Sequence, residues 1–273
     1  MELSVAGRPA YAYTGGKPFD PARPSVVFVH GAQHDHSVWI LQSRYLAHHG
    51  YSVLALDLPG HGRSAGPVLA SVEEMAAWVV QAARSAGATS GAIVGHSMGS
   101  LIALEAAGQA PQWVSRVALL GCAFPMKVSD VLLSAARDDE PRAFDLINVW
   151  SHSGISHRPG TPGPGFSIFM ENRRLMERQA PGVLLNDFSA CNAYQGGGQR
   201  AAQLACPALF VLGQRDVMTP PRAARGLVDA IRQREVVELP RCGHNMMSER
   251  PDLVLDALKR FLAPLQAGVA AAA

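Results

Sequence analysis

The sequence has neither a long apolar run nor a basic stripe. No stretch of apolar residues is long enough to span a bilayer, and the N-terminal residues lack the basic segment and apolar core of a signal peptide. The 24 Lys and Arg nearly balance the 22 Asp and Glu, and the formal net charge is +2. Since proteins that bind nucleic acids carry basic patches, we expect no nucleic-acid partner. The missing apolar run leads us to expect no membrane partner.

Cysteine is scarce as well. Its four copies are far apart and form no C-x-x-C pair, so neither a disulfide framework nor a zinc site is indicated. Together with the missing signal peptide, this leads us to expect a cytoplasmic protein with reduced thiols. The cysteines are Cys122, Cys191, Cys206 and Cys242.

The residues that are present are typical of a folded domain. Hydrophobic residues make up 48% of the 273 residues and charged residues 17%, which argues against disorder of the whole chain. This length suits one domain, or one domain with a large insertion. Both a monomer and a homodimer are compatible with it.

Six short apolar runs bounded by turn residues predict buried strands. Stretches with helical character separate them, and strands that alternate with helices form mostly parallel sheets covered on both faces. The sequence therefore predicts an α/β fold with a mostly parallel central sheet, and an antiparallel hairpin up to about Thr14 at its edge. The predicted strands are Ser25–His30, Ser52–Asp57, Gly91–His96, Val114–Gly121, Ala208–Gly213 and Glu235–Leu239.

Capping residues and prolines predict where helices begin. Ser71 and Glu74 form a capping box for a helix that starts at Val72. Proline is favourable in the first turn of a helix, where its missing N–H is harmless. Further helices are predicted at Met98–Ala110, Pro220–Ile231 and Pro251–Leu262.

The alternation of strands and helices is interrupted between residues 124 and 199. This stretch contains the Pro- and Gly-rich loop Arg158–Gly165, and we interpret it as a helical insertion. Residues 1–123 and 200–265 then form the core domain, and residues 266–273 form a disordered tail.

The strongest chemical signal is a G-x-S-x-G motif at residues Gly95–Gly99. It follows an apolar strand and precedes a helix, which is the context in which this motif exposes a nucleophilic serine. Gly95 and Gly99 leave room for the strained turn, and the helix N-terminus offers backbone N–H groups to an oxyanion. Ser97 is therefore the candidate nucleophile, and a helix N-cap serine without a chemical role is the alternative.

This motif and four others together make the sequence resemble the α/β-hydrolase family. The resemblance extends from about Ser25 to Leu262, apart from the insertion, and the motifs follow in the family's order. The other motifs are the oxyanion loop at His30-Gly31, the turn at Asp57–Ser64, the acid loop at Gly213–Asp216 and the histidine loop at Gly243-His244.

The resemblance implies a catalytic triad. Ser97 would attack an acyl carbon, His244 would accept and return the proton, and Asp216 would orient the histidine. The backbone N–H groups of Met98 and Ala32 would bind the oxyanion.

Other polar residues have competing interpretations. No carboxylate follows the strand that ends at Leu120, which favours Asp216 as the acid. His61 and His30 are interpreted as structural. The cluster His34-Asp35-His36 has no matching ligand set elsewhere, so neither a metal nor an organic cofactor is expected.

In the family, an insertion at this position forms a cap over the active site. Its aromatic residues could form an apolar wall around a small molecule, or they could hold the core of the cap together. We assign Trp150 and Phe169 to substrate binding. Met246 is assigned either to the substrate pocket or to the hydrophobic core. Arg173 and Arg174 are interpreted as solvated. The candidates for the wall are Phe144, Trp150, Phe166, Phe169, Met170, Phe188 and Tyr194.

The implied function is hydrolysis of a small carboxylic ester, thioester or lactone through a serine acyl-enzyme. Three alternatives remain open. One is hydrolytic cleavage of a carbon–carbon bond in a β-diketone-like compound, and another is acyl transfer to an alcohol or thiol. The third is a binding module with little turnover. A small-molecule acyl substrate is the expected partner.

Overall fold

A single eight-stranded sheet forms the centre of the molecule. The computed structural model describes residues 1–154 and 167–270. The strands lie in the order β1-β2-β4-β3-β5-β6-β7-β8; β1 and β2 pair antiparallel at one edge, and the pairs from β4 to β8 are parallel. This confirms the predicted fold class and the edge hairpin. The strands are β1 Glu2–Val5, β2 Arg8–Tyr13, β3 Ser25–Val29, β4 Ser52–Leu56, β5 Gly91–His96, β6 Val114–Leu120, β7 Ala208–Gly213 and β8 Arg234–Leu239.

Helices cover both faces of the sheet. A 3-10 helix, His36–Trp39, leads into α1, Ile40–His48. The remaining helices of this part are α2 Val72–Ser85, α3 Met98–Gln109, α9 Pro221–Ala230, α10 Met246–Glu249 and α11 Pro251–Ala270. Among the described residues between β6 and β7 there are five helices, which we call the inserted helices: α4 Asp130–Asp138, α5 Glu140–Ser151, α6 Ile168–Glu177, α7 Val183–Ala193 and α8 Gly197–Ala202.

Successive residues of the central strands pack against opposite layers of helices. In β3, Val27 and Val29 contact a core that includes side chains of α2, α3 and α9. Val26 and Phe28 contact a second core, which includes side chains of α1 and α11. Every residue of β3, β4, β5 and β7 is buried. The continuous apolar runs of the sequence are therefore explained by burial on both faces of the sheet.

The start of α2 follows the predicted capping pattern. The hydroxyl of Ser71 accepts a hydrogen bond from the backbone N–H of Glu74 at 3.2 Å. The Glu74 carboxylate reaches back one residue further than expected and accepts from the N–H of Ala70 at 3.0 Å. Two backbone donors at the helix N-terminus are thus satisfied by side chains.

The inserted helices have an apolar cluster of their own. It contains Leu132, Ala143, Phe144, Ile147, Met176, Leu184 and Phe188. Phe144 and Phe188 therefore pack in the core of the insertion. Tyr194 belongs instead to the core beside α3. That the insertion acts as a separate cap domain stays a prediction.

One difference concerns the end of an element. Helix α11 continues to Ala270, where the sequence predicts a disordered tail from residue 266. The loop Arg158–Gly165 and Phe166 lie outside the described residues. Within the described ranges, no helix combines the length and the apolar composition that a membrane span requires.

Glu105 on α3 joins this helix to the chain that follows the inserted helix α7. Its buried carboxylate accepts two hydrogen bonds from Arg200, at 2.9 and 2.8 Å, and one from the Tyr194 hydroxyl at 2.8 Å. Burial raises the pKa of Glu105, but the hydrogen bonds of Arg200, Gln109 and Tyr194 outweigh this effect and leave the pKa below its usual value. The charged form is therefore the stable one in the fold.

Replacing Glu105→Ala should lower the free energy of unfolding by about 3 kcal/mol at neutral pH, because a partly buried arginine loses its partner. The contribution of Glu105 is present above its unfolded pKa of about 4.3 and is lost as the pH falls through the lower folded value. Urea unfolding should show that the difference in the free energy of unfolding between the variant and wild type is smaller at pH 4 than at pH 7. The exposed Asp256→Asn serves as control, and an equal loss in both variants would contradict this role.

Candidate active site

Ser97 lies in a strained turn between β5 and α3. Its backbone has φ +53° and ψ −119°, a region that non-glycine residues rarely adopt. A Cβ atom on Gly95 would come within 1.9 Å of the Gly99 carbonyl oxygen, and one on Gly99 within 2.3 Å of the Val29 oxygen. Only glycine fits at these two positions, as the G-x-S-x-G motif predicts.

Backbone hydrogen bonds hold the turn in place. The N–H of Ser97 donates to the carbonyl of Leu120 at 2.9 Å, which ties the turn to the end of β6. Its carbonyl accepts from the N–H of Ser100 at 2.8 Å and from the Ser100 hydroxyl at 2.5 Å. Ser97 is only half-buried, whereas His96 and Met98 on either side of it are buried. The turn therefore exposes the serine and covers its neighbours.

His244 and Asp216 form a buried hydrogen-bonded pair. The Nδ1 atom of His244 lies 2.7 Å from Oδ2 of Asp216. Thr219 supports the pair, because its N–H donates to Asp216 Oδ1 at 2.8 Å and its hydroxyl donates to Oδ2 at 2.8 Å. The same hydroxyl lies 3.0 Å from His244 Nδ1. With Nδ1–H directed at the carboxylate, Nε2 of His244 is the nitrogen that can act as a base.

The sheet brings His244 next to the Ser97 turn. Ser97 follows β5, Asp216 follows β7 and His244 follows β8, and the carboxyl ends of these parallel strands share one edge. The Nε2–H of His96 donates to the carbonyl of His244 at 2.9 Å, and the two rings are 4.6 Å apart. Burial first, and then the nearby His244 and His34, lower the pKa of His96 well below its usual value. His96 thus stays neutral and keeps this tie.

The loop of residues 31–34, which begins at the predicted oxyanion motif and is called the oxyanion loop below, lies against the Ser97 turn. A Cβ on Gly31 would be 3.3 Å from the Cβ of Ser97, so the loop backbone approaches the serine closely. His30 braces the loop, since its Nδ1–H donates to the Gly31 carbonyl at 2.8 Å and its Nε2 accepts from the N–H of Leu58 at 3.1 Å. Burial lowers the pKa of His30 to about 4. This neutral, buried ring fits the structural role that the sequence predicts.

Met98, one predicted oxyanion donor, directly follows Ser97, and Ala32, the other, directly follows Gly31, whose backbone approaches the serine. Met98 is the first residue of α3, where backbone N–H groups point out of the helix. Ala32 is half-buried in the oxyanion loop. Their N–H groups as oxyanion donors stay a prediction that this arrangement favours.

The predicted substrate residues differ in position. Trp150 and Phe169 are half-buried, on α5 and α6, and the Phe169 ring lies 5.5 Å from the ring of His152. Met246 is fully buried in the core that α1 and α11 share with the sheet. Its assignment to the substrate is therefore corrected, because its side chain packs into this core. Met170 is 50% exposed.

Sequence reasoning missed Thr219 and His96, which support the candidate catalytic residues. Thr219 stands three residues after Asp216. At this spacing the Asp216 carboxylate can accept hydrogen bonds from both the backbone N–H and the hydroxyl of Thr219. His96 lies inside the G-x-S-x-G motif. A further group, Asp187 on α7, contacts the oxyanion loop across 154 residues of sequence. No local pattern indicates such a contact.

One group of potential metal ligands occurs among the described residues. Ligand atoms of Asp35, His36 and Asp57 lie within 4.8 Å of one another. Asp57 Oδ1 already accepts from the N–H and Nδ1 of His36, at 2.8 Å each. Arg178 donates to Asp35 Oδ2 at 3.0 Å. These oxygens are engaged in hydrogen bonds, and the arrangement is suited to holding the loop and not to binding an ion.

Comparisons with known proteins agree with this arrangement. A family model described as "Alpha/beta hydrolase family" matches residues 26–257. A protein from Klebsiella pneumoniae named "Putative carbamate hydrolase RutD" is 28% identical over 241 residues, covering 82% of this chain and 85% of that protein. The pimeloyl-[acyl-carrier protein] methyl ester esterase of Nitrosospira multiformis is 25% identical over 264 residues, covering 87% and 94%.

Solved structures share the fold. The enol-lactonase from Burkholderia xenovorans LB400 superimposes with a TM-score of 0.85 at 22% identity, covering 96% of this chain and 100% of that one. At this identity the likeness concerns the fold alone.

Replacing Thr219→Val should lower kcat about tenfold with little change in stability. The variant keeps the shape of the side chain but removes the hydroxyl that donates to Asp216, and one such buried bond corresponds to about 1–2 kcal/mol. Thr219→Ser retains the hydroxyl and should keep near-normal kcat. Steady-state kinetics on an activated ester, with thermal unfolding in parallel, measure both effects. Equal kcat in the Val and Ser variants would show that the hydroxyl has no catalytic importance.

Proposed function

Because the chain belongs to the α/β-hydrolase family of enzymes, we propose that it hydrolyses a small carboxylic ester through an acyl-enzyme on Ser97. A thioester or a lactone would use the same groups. The observation that carries this proposal is the exposed Ser97 in its strained turn, on the sheet edge that also holds the buried His244–Asp216 pair.

The acylation step begins with the attack of Ser97 Oγ on the carbonyl carbon. Nε2 of His244 accepts the serine proton, and the carbonyl oxygen becomes an oxyanion that the N–H groups of Met98 and Ala32 stabilise. The carbon–oxygen bond to the leaving alcohol then breaks, and His244 returns the proton to the alcohol. Ser97 is left as an ester of the acyl group.

Deacylation repeats these steps with water. His244 accepts a proton from water, whose oxygen attacks the acyl carbon. The second oxyanion then collapses, the bond between the acyl carbon and Ser97 Oγ breaks, and His244 returns the proton to Ser97 Oγ as the acid is released. Asp216 keeps the imidazole in the tautomer with its proton on Nδ1, and it stabilises the imidazolium that forms twice in each cycle. The Thr219 hydroxyl holds the carboxylate in this orientation.

We further propose that the inserted helices form a cap that shapes the substrate pocket. Trp150 and Phe169 are half-buried on these helices and supply apolar surface. Arg173 on α6 is paired with Asp145 and Glu177, and Arg174 with Glu177, so these cations are neutralised by neighbouring carboxylates. This pairing leaves no unpaired charge on either arginine for a substrate carboxylate, so it favours a substrate whose acyl group is uncharged.

Carbamate hydrolysis is a second candidate. The Klebsiella relative carries this activity in its name, and a carbamate carbonyl can be attacked by the same serine. A panel of p-nitrophenyl esters of increasing acyl length, together with aryl carbamates, separates the two. Turnover of esters alone supports the first proposal, and a preference for carbamates supports the second. Labelling by a fluorophosphonate without any turnover of the panel would indicate a carbon–carbon hydrolase or an acyltransferase.

Replacing Ser97→Ala should abolish turnover, with a loss on the order of 10⁴-fold or more, because the nucleophile is removed and the oxyanion donors remain. The thermal unfolding temperature should stay close to that of wild type. Ser85→Ala, on the exposed side of α2, is the matched control and should be fully active. An active Ser97→Ala variant would refute the acyl-enzyme mechanism.

Replacing Trp150→Ala or Phe169→Ala should shift the preferred acyl length towards longer chains, since each change removes part of the apolar wall and enlarges the pocket. The profile of kcat/KM against acyl length measures this shift. Val149→Ala, whose side chain is 52% exposed on the same helix as Trp150, is the control and should leave the profile unchanged. An unchanged profile in both aromatic variants would assign these residues to the core of the insertion.

A further inference from the structure

The carboxylate of Asp187 connects an inserted helix to the oxyanion loop. Asp187 lies on α7 and is fully buried. Its Oδ2 accepts a hydrogen bond from the backbone N–H of Gln33 at 3.0 Å and another from Nε2 of His61 at 2.9 Å. Its Oδ1 lies 3.4 Å from Nδ2 of Asn186. Gln33 directly follows Ala32, so this carboxylate bonds the peptide group next to a proposed oxyanion donor.

We propose that Asp187, together with His61, is a positioning residue for the oxyanion hole: it fixes the Ala32–Gln33 peptide and thereby aims the N–H of Ala32. This inference rests on the proposed function, in which Ala32 binds the oxyanion.

The Ala32–Gln33 peptide is held from both sides. Asp187 binds its N–H, and Nδ1 of His34 donates to its carbonyl, the Ala32 oxygen, at 2.8 Å. A peptide group is planar, so two opposed hydrogen bonds fix its orientation. The Ala32 N–H belongs to the preceding peptide, Gly31–Ala32, whose carbonyl accepts a hydrogen bond from Nδ1 of His30 at 2.8 Å. Because the two peptide planes share the Cα atom of Ala32, fixing the Ala32–Gln33 plane restricts the torsions of Ala32 and with them the direction of its N–H.

Gln33 adopts a conformation that the isolated loop would not favour. Its φ is +58°, in the left-handed region where a side chain is strained. Two bonds to the inserted helices compensate for the strain: the N–H bond to Asp187, and a bond from Nε2 of Gln33 to the carbonyl of Met176 at 3.0 Å. The inserted helices therefore impose the loop conformation, and without them we expect Gln33 to relax.

The charge state of His61 strengthens the same contact. Its Nε2 faces Asp187, and its Nδ1 faces the carbonyl of Pro59 at 3.1 Å. A neutral imidazole has only one N–H, so two acceptors can both be satisfied only by the imidazolium. Burial lowers the pKa of His61. The Asp187 carboxylate and the Pro59 carbonyl raise it by more than burial lowers it, so the net shift of the pKa is upward.

The other titratable groups that face His61 agree with this state. The Asp57 carboxylate also raises its pKa. The ring of His30 lies 4.9 Å away, and its own pKa is lowered to about 4, so it adds no opposing charge near neutral pH. Oδ2 of Asp187 thus faces a cationic ring inside the protein and is a strong acceptor for the Gln33 N–H.

It follows that the inserted helices contribute to the reaction itself. They would stabilise the transition state through the oxyanion loop, in addition to lining the pocket. A change at Asp187 should therefore affect kcat, because the oxyanion forms only after the substrate has bound.

The test compares Asp187→Ala with Asp187→Asn on the best substrate of the ester panel. The alanine variant should lose about 10²-fold in kcat, the size expected for one oxyanion donor, with KM changed little. Its affinity for a trifluoromethyl ketone transition-state analogue should fall by the same factor as kcat/KM. Asp187→Asn keeps an oxygen acceptor for the Gln33 N–H and should stay within about tenfold of wild type. Asp130→Ala, exposed on α4, is the matched control.

A rescue experiment separates positioning from a general loss of folding. Glycine adopts positive φ without strain, so Gln33→Gly added to Asp187→Ala should recover at least several-fold in kcat. If Asp187 merely stabilised the fold, the added glycine would bring no recovery. The proposal is overturned if Asp187→Ala retains wild-type kcat, or if its loss is confined to KM, or if Gln33→Gly fails to restore activity. Because Ser97→Ala is assayed in parallel, an inactive Ser97→Ala beside a fully active Asp187→Ala would refute this inference alone.

Discussion

The close contact between β5 and α3 is the constraint on which the candidate site depends. Gly95 and Gly99 let the strand, the helix and the end of β3 approach to distances that no side chain would permit. This contact forces Ser97 into its positive φ and exposes its side chain at the carboxyl edge of the sheet. Since β6, β7 and β8 follow β5 in order, the loops with Asp216 and His244 meet the serine at that edge.

Hydrogen bonds connect the insertion to two loops of the candidate site, the oxyanion loop and the histidine loop. Asp187 binds the oxyanion loop, and Asn172 on α6 lies 2.9 Å from the His34 ring in the same loop. At the end of α5, the N–H of Ser153 donates to Glu249 at 2.7 Å, and the same carboxylate accepts from the N–H of Gly243 beside His244. The insertion is therefore bonded to both the oxyanion side and the histidine side of the candidate site.

The features that could be predicted from sequence are those with a local cause. Six of the eight strands were recognisable to within about a residue at each end. In the centre of the sheet this is because burial on both faces demands continuous apolar runs. The motif at Gly95–Gly99 was recognisable because strand, glycine and helix are adjacent in sequence. Asp187 could not be found in this way, because it is 154 residues away from Gln33 in the sequence and contacts it only in the folded protein. Met246 was ambiguous for a related reason: its neighbour His244 belongs to the site, while its own side chain packs into the core.

The central claim is that Ser97 becomes acylated during turnover, and trapping the intermediate tests it most directly. The protein would be mixed with a p-nitrophenyl ester, quenched in acid within the first turnover, digested and analysed by mass spectrometry. The account predicts that the peptide containing Ser97 gains the mass of the acyl group and that fragmentation places this mass on the serine. An acyl group on a different residue, or turnover in ¹⁸O-labelled water that places ¹⁸O in a carboxylate of the protein, would contradict it.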